Sequence, residues 1–305
     1  MRMDVRIRPH ALAGAVTPPP SKSMAHRLLL AAALADGVST VKNVALSQDI
    51  EATLRCMAAL GASWERTDKS TLRVTGIGGK RKPFPELPRF DCGESGSTLR
   101  FLLPGVKIDG EAERFAVPPS VYRFFDAAVE ADWSQAGFWY AVRFLGNGVE
   151  VCGLNENSAQ GDRVVKDLLE RFKAAGEQSV DVSDCPDLLP PLAVMAARRE
   201  GTTHFVNAAR LRMKESDRLT TTAALLRALG VPAEETADSL TVRGMPSFSG
   251  GTVDGANDHR IVMAAAAAAT AAAAPVTVTG AEAVRKSYPS FWEEYKRLGG
   301  SFDVL

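Results

Sequence analysis

The sequence repeats itself, and the repeat limits the fold more than any single motif does. Residues 52–79 (ATLRCMAALGASWERTDKSTLRVTGIGG) and residues 222–247 (TAALLRALGVPAEETADSLTVRGMPS) share one order. Each has a helical apolar pattern stopped by Leu-Gly, a short strand, a polar turn, and an alternating strand (Leu72-Arg-Val-Thr, Leu240-Thr-Val-Arg) that runs into Gly. A strand precedes each, at 40–44 and 203–207, and before it comes a further helix ending near a Gly. That upstream helix is expected at 23–36, 134–144, 188–199 and 259–273. The unit is therefore helix, strand, loop, second helix, then a strand or hairpin. Four units are complete through their second helix, at 21–79, 132–183, 187–247 and 258–305. The 132–183 unit pairs strand 149–152 with helix 162–175, and the last pairs strand 276–279 with helix 289–298.

Helices that are apolar nearly all round, such as 263–273, belong inside, with sheets packed against them. The expectation is an α/β (α+β) fold of repeated units with buried helices and outer sheets. One stretch breaks the pattern. After a helix opening near Thr98 come Pro104-Gly105, a strand-like Val106-Lys-Ile and Val117-Pro-Pro-Ser, as if one unit starts and another finishes with no middle.

Composition narrows the function. Lys plus Arg and Asp plus Glu both number 36, so no global field favours nucleic acid or a membrane surface. An anion site must come from local clustering. Cys56, Cys92, Cys152 and Cys185 form no CxxC pair and no zinc spacing, which fits reduced thiols in a cytoplasmic protein and no metal. The first residues lack a signal-peptide apolar region, and 264–274 is too short and alanine-rich to span a bilayer.

Local cation clusters lie where helices begin. In Ser21-Lys22-Ser23-Met-Ala-His-Arg27, Ser21 or Ser23 can cap a helix, Lys22 stands at its mouth and Arg27 lies one turn on. A Lys, a hydroxyl, free N–H groups and an Arg make a phosphate cradle, although Ser-Lys-Ser at a helix start is commonly only a cap. Asp91-Cys-Gly-Glu-Ser-Gly96-Ser-Thr-Leu-Arg100 lets backbone approach a ligand at Gly93 and Gly96, with Ser97 or Thr98 opening the next helix. Lys214-Glu215-Ser-Asp-Arg218 precedes a helix that ends at Gly230, with Ser216 as cap candidate. Asp187 and the Asp258-His-Arg260 run open two apolar helices, and Lys286 precedes the last helix. An Arg on a buried helix needs an anionic partner. Taken singly, each of these can be a cap or a solvated charge. Together they point to a small ligand carrying several negative charges, with Asp187 and Glu215 as proton-transfer candidates whose pKa values the cations and burial would tune.

In these residues the chain resembles the 3-phosphoshikimate 1-carboxyvinyltransferase (EPSP synthase) family. The resemblance rests on Ser21-Lys-Ser23 with Arg27, Ser95-Gly-Ser-Thr-Leu-Arg100, Pro186-Asp187, Lys214-Glu-Ser-Asp-Arg218, Asp258-His-Arg260 and Lys286-Ser-Tyr-Pro289. It implies a two-domain enolpyruvyl transferase fold of βαβαββ units, here with residues 14–130 as a shortened first domain and 1–13 plus 131–305 as the second. It also implies a monomer that transfers the enolpyruvyl group of phosphoenolpyruvate to the 5-hydroxyl of 3-phosphoshikimate with neither metal nor cofactor. By the same resemblance Ser23, Arg27 and Lys214 would hold 3-phosphoshikimate, and Lys22 would reach both substrates. Gly96, Arg218, Arg260 and Lys286 would hold phosphoenolpyruvate. Asp187 would accept the hydroxyl proton, and Glu215 would serve the methylene carbon.

The departures are specific. An Arg for phosphoenolpyruvate, a Ser-Ser-Gln run and further Ser/Tyr contacts, which the family carries after the Ser-Gly-Ser-Thr-Leu-Arg segment, have no counterpart. The sequence jumps over roughly a repeat and a half between Leu103 and Val106, then resumes near Phe115 and again at Glu130-Ala-Asp-Trp-Ser134. Arg210 stands where the family has an Asn. Apolar surface and sheet edges should be exposed, and activity should be weak or lost. Two other readings compete. One is a sister transferase acting on a UDP-amino sugar; the other is a non-catalytic remnant that binds phosphorylated metabolites.

Overall fold

The computed structural model describes residues 2–78, 89–93, 95–102 and 122–305. It divides into two compact units: unit 1 is 1–18 with 131–305, and unit 2 is 19–130. The sequence expectations for 103–121, including the strand at Val106 and the resumption at Phe115, lie outside the described residues.

In chain order, β1 (Val5–Arg8) and β2 (Ala13–Val16) belong to unit 1. Unit 2 follows with α1 (Lys22–Leu34), β3 (Val38–Lys42), α2 (Gln48–Ala59), β4 (Ser63–Arg66), β5 (Leu72–Thr75), α3 (Gly96–Leu102) and β6 (Asp126–Ala128). Unit 1 resumes with α4 (Trp133–Phe144), β7 (Gly148–Val151), α5 (Val165–Arg171), β8 (Gln178–Asp181), α6 (Leu189–Ala196) and β9 (Thr202–Val206). It continues through α7 (Arg218–Ala228), β10 (Ala233–Glu235), β11 (Leu240–Arg243), β12 (Gly251–Asp254), α8 (His259–Ala269), β13 (Val276–Thr279), α9 (Phe291–Arg297) and β14 (Ser301–Val304).

Three four-stranded sheets share one wiring. In β6-β3-β5-β4 and in β8-β9-β11-β10, the first pair is parallel and the next two are antiparallel. The sheet β12-β13-β1-β14 has the same parallel-then-antiparallel pattern. There the N-terminal strand takes the place of β11 and the C-terminal strand that of β10. The last repeat therefore borrows β1 from the other end of the chain, which is why residues 1–18 belong with 131–305. A fourth pair, β2-β7, is parallel.

The glycine that ends each alternating strand has a packing reason. A Cβ on Gly76 would lie 2.2 Å from the Ala35 carbonyl oxygen, and one on Gly244 only 1.7 Å from that of Arg199. In both repeats this glycine turns the strand back onto the end of the repeat's first helix, α1 or α6. Gly76 N–H donates to Gly37 and Gly244 N–H to Gly201, at 3.0 and 2.9 Å. Any side chain there would drive two backbones apart.

In unit 1, α4, α6 and α8 pack on one another, and every residue of α6 and α8 is buried. Alanines at 264–269 remove the bulk that would hold helix axes apart, so the helices form the inner layer and the sheets cover them. A second apolar core, around Leu29, Val41, Ile50, Leu54, Met57 and Val74, serves unit 2 alone. Among its described residues unit 2 also exposes Leu99, Tyr122 and Phe124, the last to 65 %. No helix among the described residues is long and apolar enough to cross a membrane.

Element ends differ from the sequence expectation in instructive places. Helix 162–175 is a 3₁₀ turn, Gly161–Val164, followed by α5, and the turn opens at a glycine where an added Cβ would lie 2.6 Å from the Asp184 carbonyl oxygen. The last helix starts at Phe291 rather than 289, since Phe291 N–H closes a turn onto Tyr288. Helix 259–273 stops at Ala269, where Thr270 Oγ1 donates back to the Ala267 carbonyl.

Candidate active site

Unit 1 brings three helix starts to one place. Asp187 lies in the 3₁₀ turn Pro186–Leu188 that feeds α6, Arg218 is the first residue of α7, and Asp258 caps α8 by accepting from Arg260 N–H at 2.9 Å. The backbone just before α8 is held left-handed at two non-glycine residues, Ala256 (φ 50°) and Asn257 (φ 52°), a local cost that aims Asp258 at the cluster.

Arg218 is the hub. Its guanidinium is fully buried and gives one edge to each of three carboxylates. Nη1 donates to Asp187 Oδ1 at 2.7 Å, Nε to Asp258 Oδ2 at 3.0 Å, and Nη2 pairs with Glu215 Oε2. Asp187 in turn holds two further cations, Lys214 Nζ at 3.2 Å from Oδ1 and Arg260 Nη2 at 3.0 Å from Oδ2. Burial opposes ionisation of Asp187, but Arg260, Arg218 and Lys214 overcome it and hold its carboxyl well below the usual range. At neutral pH Asp187 is therefore an anion, and 26 % of its side chain reaches solvent.

Five of the expected groups thus converge within unit 1: Asp187, Lys214, Glu215, Arg218 and Arg260. Lys286 reaches the same helix mouth by a different contact, donating from Nζ to the Asn257 carbonyl at 3.1 Å. The expectation that Ser216 caps α7 is corrected. Asp217 caps it, accepting from Thr220 N–H at 3.1 Å, while Ser216 Oγ donates to Asp258 Oδ2 at 3.0 Å. A carboxylate one residue nearer the helix outcompetes the hydroxyl for the free N–H groups, and the hydroxyl is drawn to the buried acid.

Unit 2 carries the remaining groups. Ser21 caps α1 by accepting from Met24 N–H at 3.4 Å, and Lys22 Nζ pairs with Asp49 Oδ2 at 2.6 Å in a largely buried contact. Ser23 and Arg27 are exposed; the guanidinium of Arg27 donates to the Ser23 carbonyl and lies 4.6 Å from the Phe101 ring centre. Gly96 begins α3, where Ser95 Oγ, and not Ser97 or Thr98, accepts from Thr98 N–H at 3.2 Å. Under it runs a hydroxyl–imidazole chain, Ser95–Thr98–Thr53–His26, with spacings of 2.7, 2.8 and 2.7 Å. Thr98 Oγ1 also reaches the Asp49 carbonyl at 3.2 Å, so the chain ties the Gly96 turn to the residue that holds Lys22.

Two groups escaped the sequence reading. Asp258 was seen only as a cap, whereas its second oxygen completes the Arg218 hub. Asp162 was seen only as a helix start. It accepts from Ser134 Oγ, and burial together with repulsion from Asp187 pushes it up to about 7. An Asp directly after Gln-Gly carries no such signal in sequence. No group of three or more His, Cys, Asp or Glu side chains among the described residues could hold a metal ion.

Comparison with known proteins adds independent findings. A family model described as EPSP synthase (3-phosphoshikimate 1-carboxyvinyltransferase) matches in two pieces, residues 7–107 and 103–295. The chain is 31% identical to the 3-phosphoshikimate 1-carboxyvinyltransferase of Clostridium kluyveri, covering 98% of both chains. It is 32% identical to that of Clostridium acetobutylicum, covering 97% of both. The first alignment runs over 421 residues although this chain has 305, so more than a hundred residues of the relative face no counterpart here. The two family pieces meet at 103–107, which puts the internal deletion where the repeat breaks. The solved EPSP synthase of Acinetobacter baumannii shares the fold with a TM-score of 0.78 at 20% identity, over 99% of this chain and 100% of that one.

Proposed function

The chain belongs to the EPSP synthase (3-phosphoshikimate 1-carboxyvinyltransferase) family, and from that premise we propose that it acts on phosphoenolpyruvate and 3-phosphoshikimate. The reaction moves the enolpyruvyl group to the 5-hydroxyl and releases phosphate, in the cytoplasm and as a monomer. The observation that carries the reading is the Arg218 hub: one buried guanidinium shared by the two carboxylates expected to move protons, with Lys214 and Arg260 on one of them, Asp187.

Charge counting refines the mechanism. In unit 1 the cations Lys214, Arg218 and Arg260 are matched by the carboxylates Asp187, Glu215 and Asp258. An incoming phosphate or carboxylate competes for the same N–H groups. Arg260 and Lys286 take the carboxylate and phosphate of phosphoenolpyruvate, and Lys214 takes part of 3-phosphoshikimate. As they do, Asp187 loses cations, so it becomes a stronger base when substrate is present and stays a poor one when it is absent. Asp258 has no such exit: it is fully buried and keeps Arg218 charged and in place.

The proton traffic then follows. Glu215 first takes up a proton from solvent and then gives it to the methylene carbon of phosphoenolpyruvate, which builds oxocarbenium character at the neighbouring carbon. The 5-hydroxyl adds there and loses its proton to Asp187. Phosphate leaves as Glu215 takes a proton back from the methyl group. Fixed cations stabilise charge on phosphate throughout. By the family resemblance, Ser23 and Arg27 are assigned to 3-phosphoshikimate, Gly96 to phosphoenolpyruvate and Lys22 to both.

A second reading rests on the deletion. More than a hundred residues of the relatives' length have no counterpart, and by resemblance these include an Arg for phosphoenolpyruvate and the Ser-Ser-Gln run. Each lost charge-assisted contact weakens phosphate binding by about 1.5–3 kcal/mol. The proposed activity is therefore weak, and a chain that binds without turnover is the limiting case. Phosphate release measured with both substrates, with each omitted in turn, and with a UDP-amino sugar as acceptor decides among the readings. Release that needs 3-phosphoshikimate and vanishes in Asp187→Asn supports the transferase. Titration calorimetry that detects both ligands without release supports the remnant, and release with the UDP-sugar alone overturns both.

A further inference from the structure

Two of the four cysteines stand together, and no step above uses them. Cys56 is fully buried on α2, Cys92 is partly exposed in the turn before Gly96, and their sulfurs are 3.9 Å apart. We infer that Cys56 and Cys92 are an oxidation site, a dithiol that closes to a disulfide and pins the glycine-rich turn onto α2.

The geometry favours this pair and no other. The helix fixes Cys56, whose thiol donates to the Asp91 carbonyl at 3.5 Å, and Arg55 on the same helix pairs with the Asp91 carboxylate at 3.3 Å. Both contacts hold Asp91, the residue just before Cys92, against the helix. Gly93, with its left-handed φ of 52° and its N–H on Asp91 Oδ1, gives the backbone freedom beside Cys92. Bringing the sulfurs from 3.9 Å to the roughly 2.0 Å of a disulfide needs side-chain rotation at Cys92 and a small shift of this turn. Cys152 and Cys185 lie in the other unit.

The order of events follows from exposure. The oxidant is a peroxide. The Cys92 thiolate attacks a peroxide oxygen, the O–O bond breaks, water leaves, and Cys92 becomes a sulfenic acid. Cys56 then attacks the Cys92 sulfur, the S–S bond forms, and the hydroxyl departs as a second water with the Cys56 proton. Two thiols have lost two electrons and hydrogen peroxide has gained them. Burial, then the neighbouring Cys92, pushes the Cys56 thiol up to about 12, so its attack on Cys92 quickens as pH rises.

The test is treatment of the full chain with hydrogen peroxide, followed by thiol counting and peptide mass spectrometry. Two of the four thiols should disappear, leaving a species about 2 Da lighter in which the peptides of Cys56 and Cys92 are joined, and dithiothreitol should restore them. Cys92→Ser should keep both Cys56 and the remaining thiols reduced, while Cys56→Ser should leave a sulfenic acid at Cys92 that a dimedone-type reagent traps. Closing the loop between the two positions should raise the melting point read from Trp64 by roughly 5 °C. The inference falls if all four thiols survive a peroxide excess, if Cys152 or Cys185 is found in the bridge, or if Cys92→Ser loses thiols as fast as the parent.

Discussion

Unit 1 and unit 2 use the same repeat but treat their charges differently. In unit 1 the helix starts meet, so the hub around Arg218 joins Asp187 and Glu215 of its own repeat to Asp258 of the next, and Arg260 of that next repeat reaches back to Asp187. In unit 2 the site cations have local partners: Lys22 pairs with Asp49 inside one repeat, and Arg27 leans on its own helix. Unit 1 can do this because its repeats surround a shared core of α4, α6 and α8. The short β6, of three residues, closes the unit 2 sheet in the place that β8 holds in unit 1, and apolar Tyr122 and Phe124 stand exposed just before it. A repeat is thus enough to build a sheet, but a buried ionic site needs several repeats around one core.

The sharpest way to break this contrast is at its hub. Arg218→Ala leaves Asp258 buried with no opposite charge and should cost about 3–5 kcal/mol, against under 1 kcal/mol for an exposed pair such as Arg73 with Glu65 in unit 2. Urea denaturation of each variant measures it; an Arg218→Ala loss below 1 kcal/mol would mean that the hub is not the anchor of unit 1. Next in size is a core deletion. Leu29→Ala should cost unit 2 about 2–4 kcal/mol. Trp64 is the one tryptophan of unit 2, whereas Trp133, Trp139 and Trp292 are in unit 1, so fluorescence of Trp64→Phe alongside Leu29→Ala tells which unit melts first. If both tryptophan sets lose structure together, the two units unfold as one and the contrast does not extend to stability.

How much of this was legible in the sequence follows from the range of each interaction. The repeats, the buried alanine helix and the break after Leu103 are patterns of near neighbours, and the sheet wiring bears the repeats out. Gly76 and Gly244 marked strand ends because only the missing Cβ lets strand and helix end touch. The convergence of Lys214, Arg218 and Arg260 on Asp187 was expected from repeated placement at helix starts. Distances between repeats were not visible. Asp258 looked like a cap and is also a buried counter-ion; Ser216 looked like a cap and is a ligand of Asp258; Asp162 gave no sign, because its surroundings come from 134 and 187. The same limit hid the Ser95–Thr98–Thr53–His26 chain, whose members are spread over 72 residues of sequence.

The two units should also respond to acid in opposite directions. His26 of unit 2 is lowered to about 3 by burial, then by Lys22 and Arg27. Between pH 3 and 6.5 the unfolded chain binds its proton and the folded one does not, so stability falls as pH drops through 6.5. Asp162 of unit 1 is raised to about 7, so between 3.8 and 7 the folded state is the one that holds the proton. There stability falls as pH rises, and Asp162→Asn should remove that slope, a change of about 2–3 kcal/mol between pH 5 and 8. His26→Asn should remove the opposite slope. Melting curves at pH 5, 6.5 and 8 give both, and equal pH dependence of parent and Asp162→Asn would reject the assignment for unit 1.

The smallest effect compares two caps. Asp217 accepts from Thr220 N–H at 3.1 Å and also receives Arg212 Nη1 at 2.6 Å, so a negative oxygen faces the positive end of α7. Ser21 offers α1 a neutral hydroxyl at a longer 3.4 Å. A charged acceptor at a shorter distance is worth more, so Asp217→Ala should cost about 1–2 kcal/mol and Ser21→Ala about 0.5 kcal/mol. Ser216→Ala separates capping from counter-ion support: it removes no cap but takes a donor from buried Asp258, and should cost about 1 kcal/mol. If Ser216→Ala proved the costliest of the three in thermal denaturation, the cap of α7 would have to be reassigned to the serine, as its sequence first suggests.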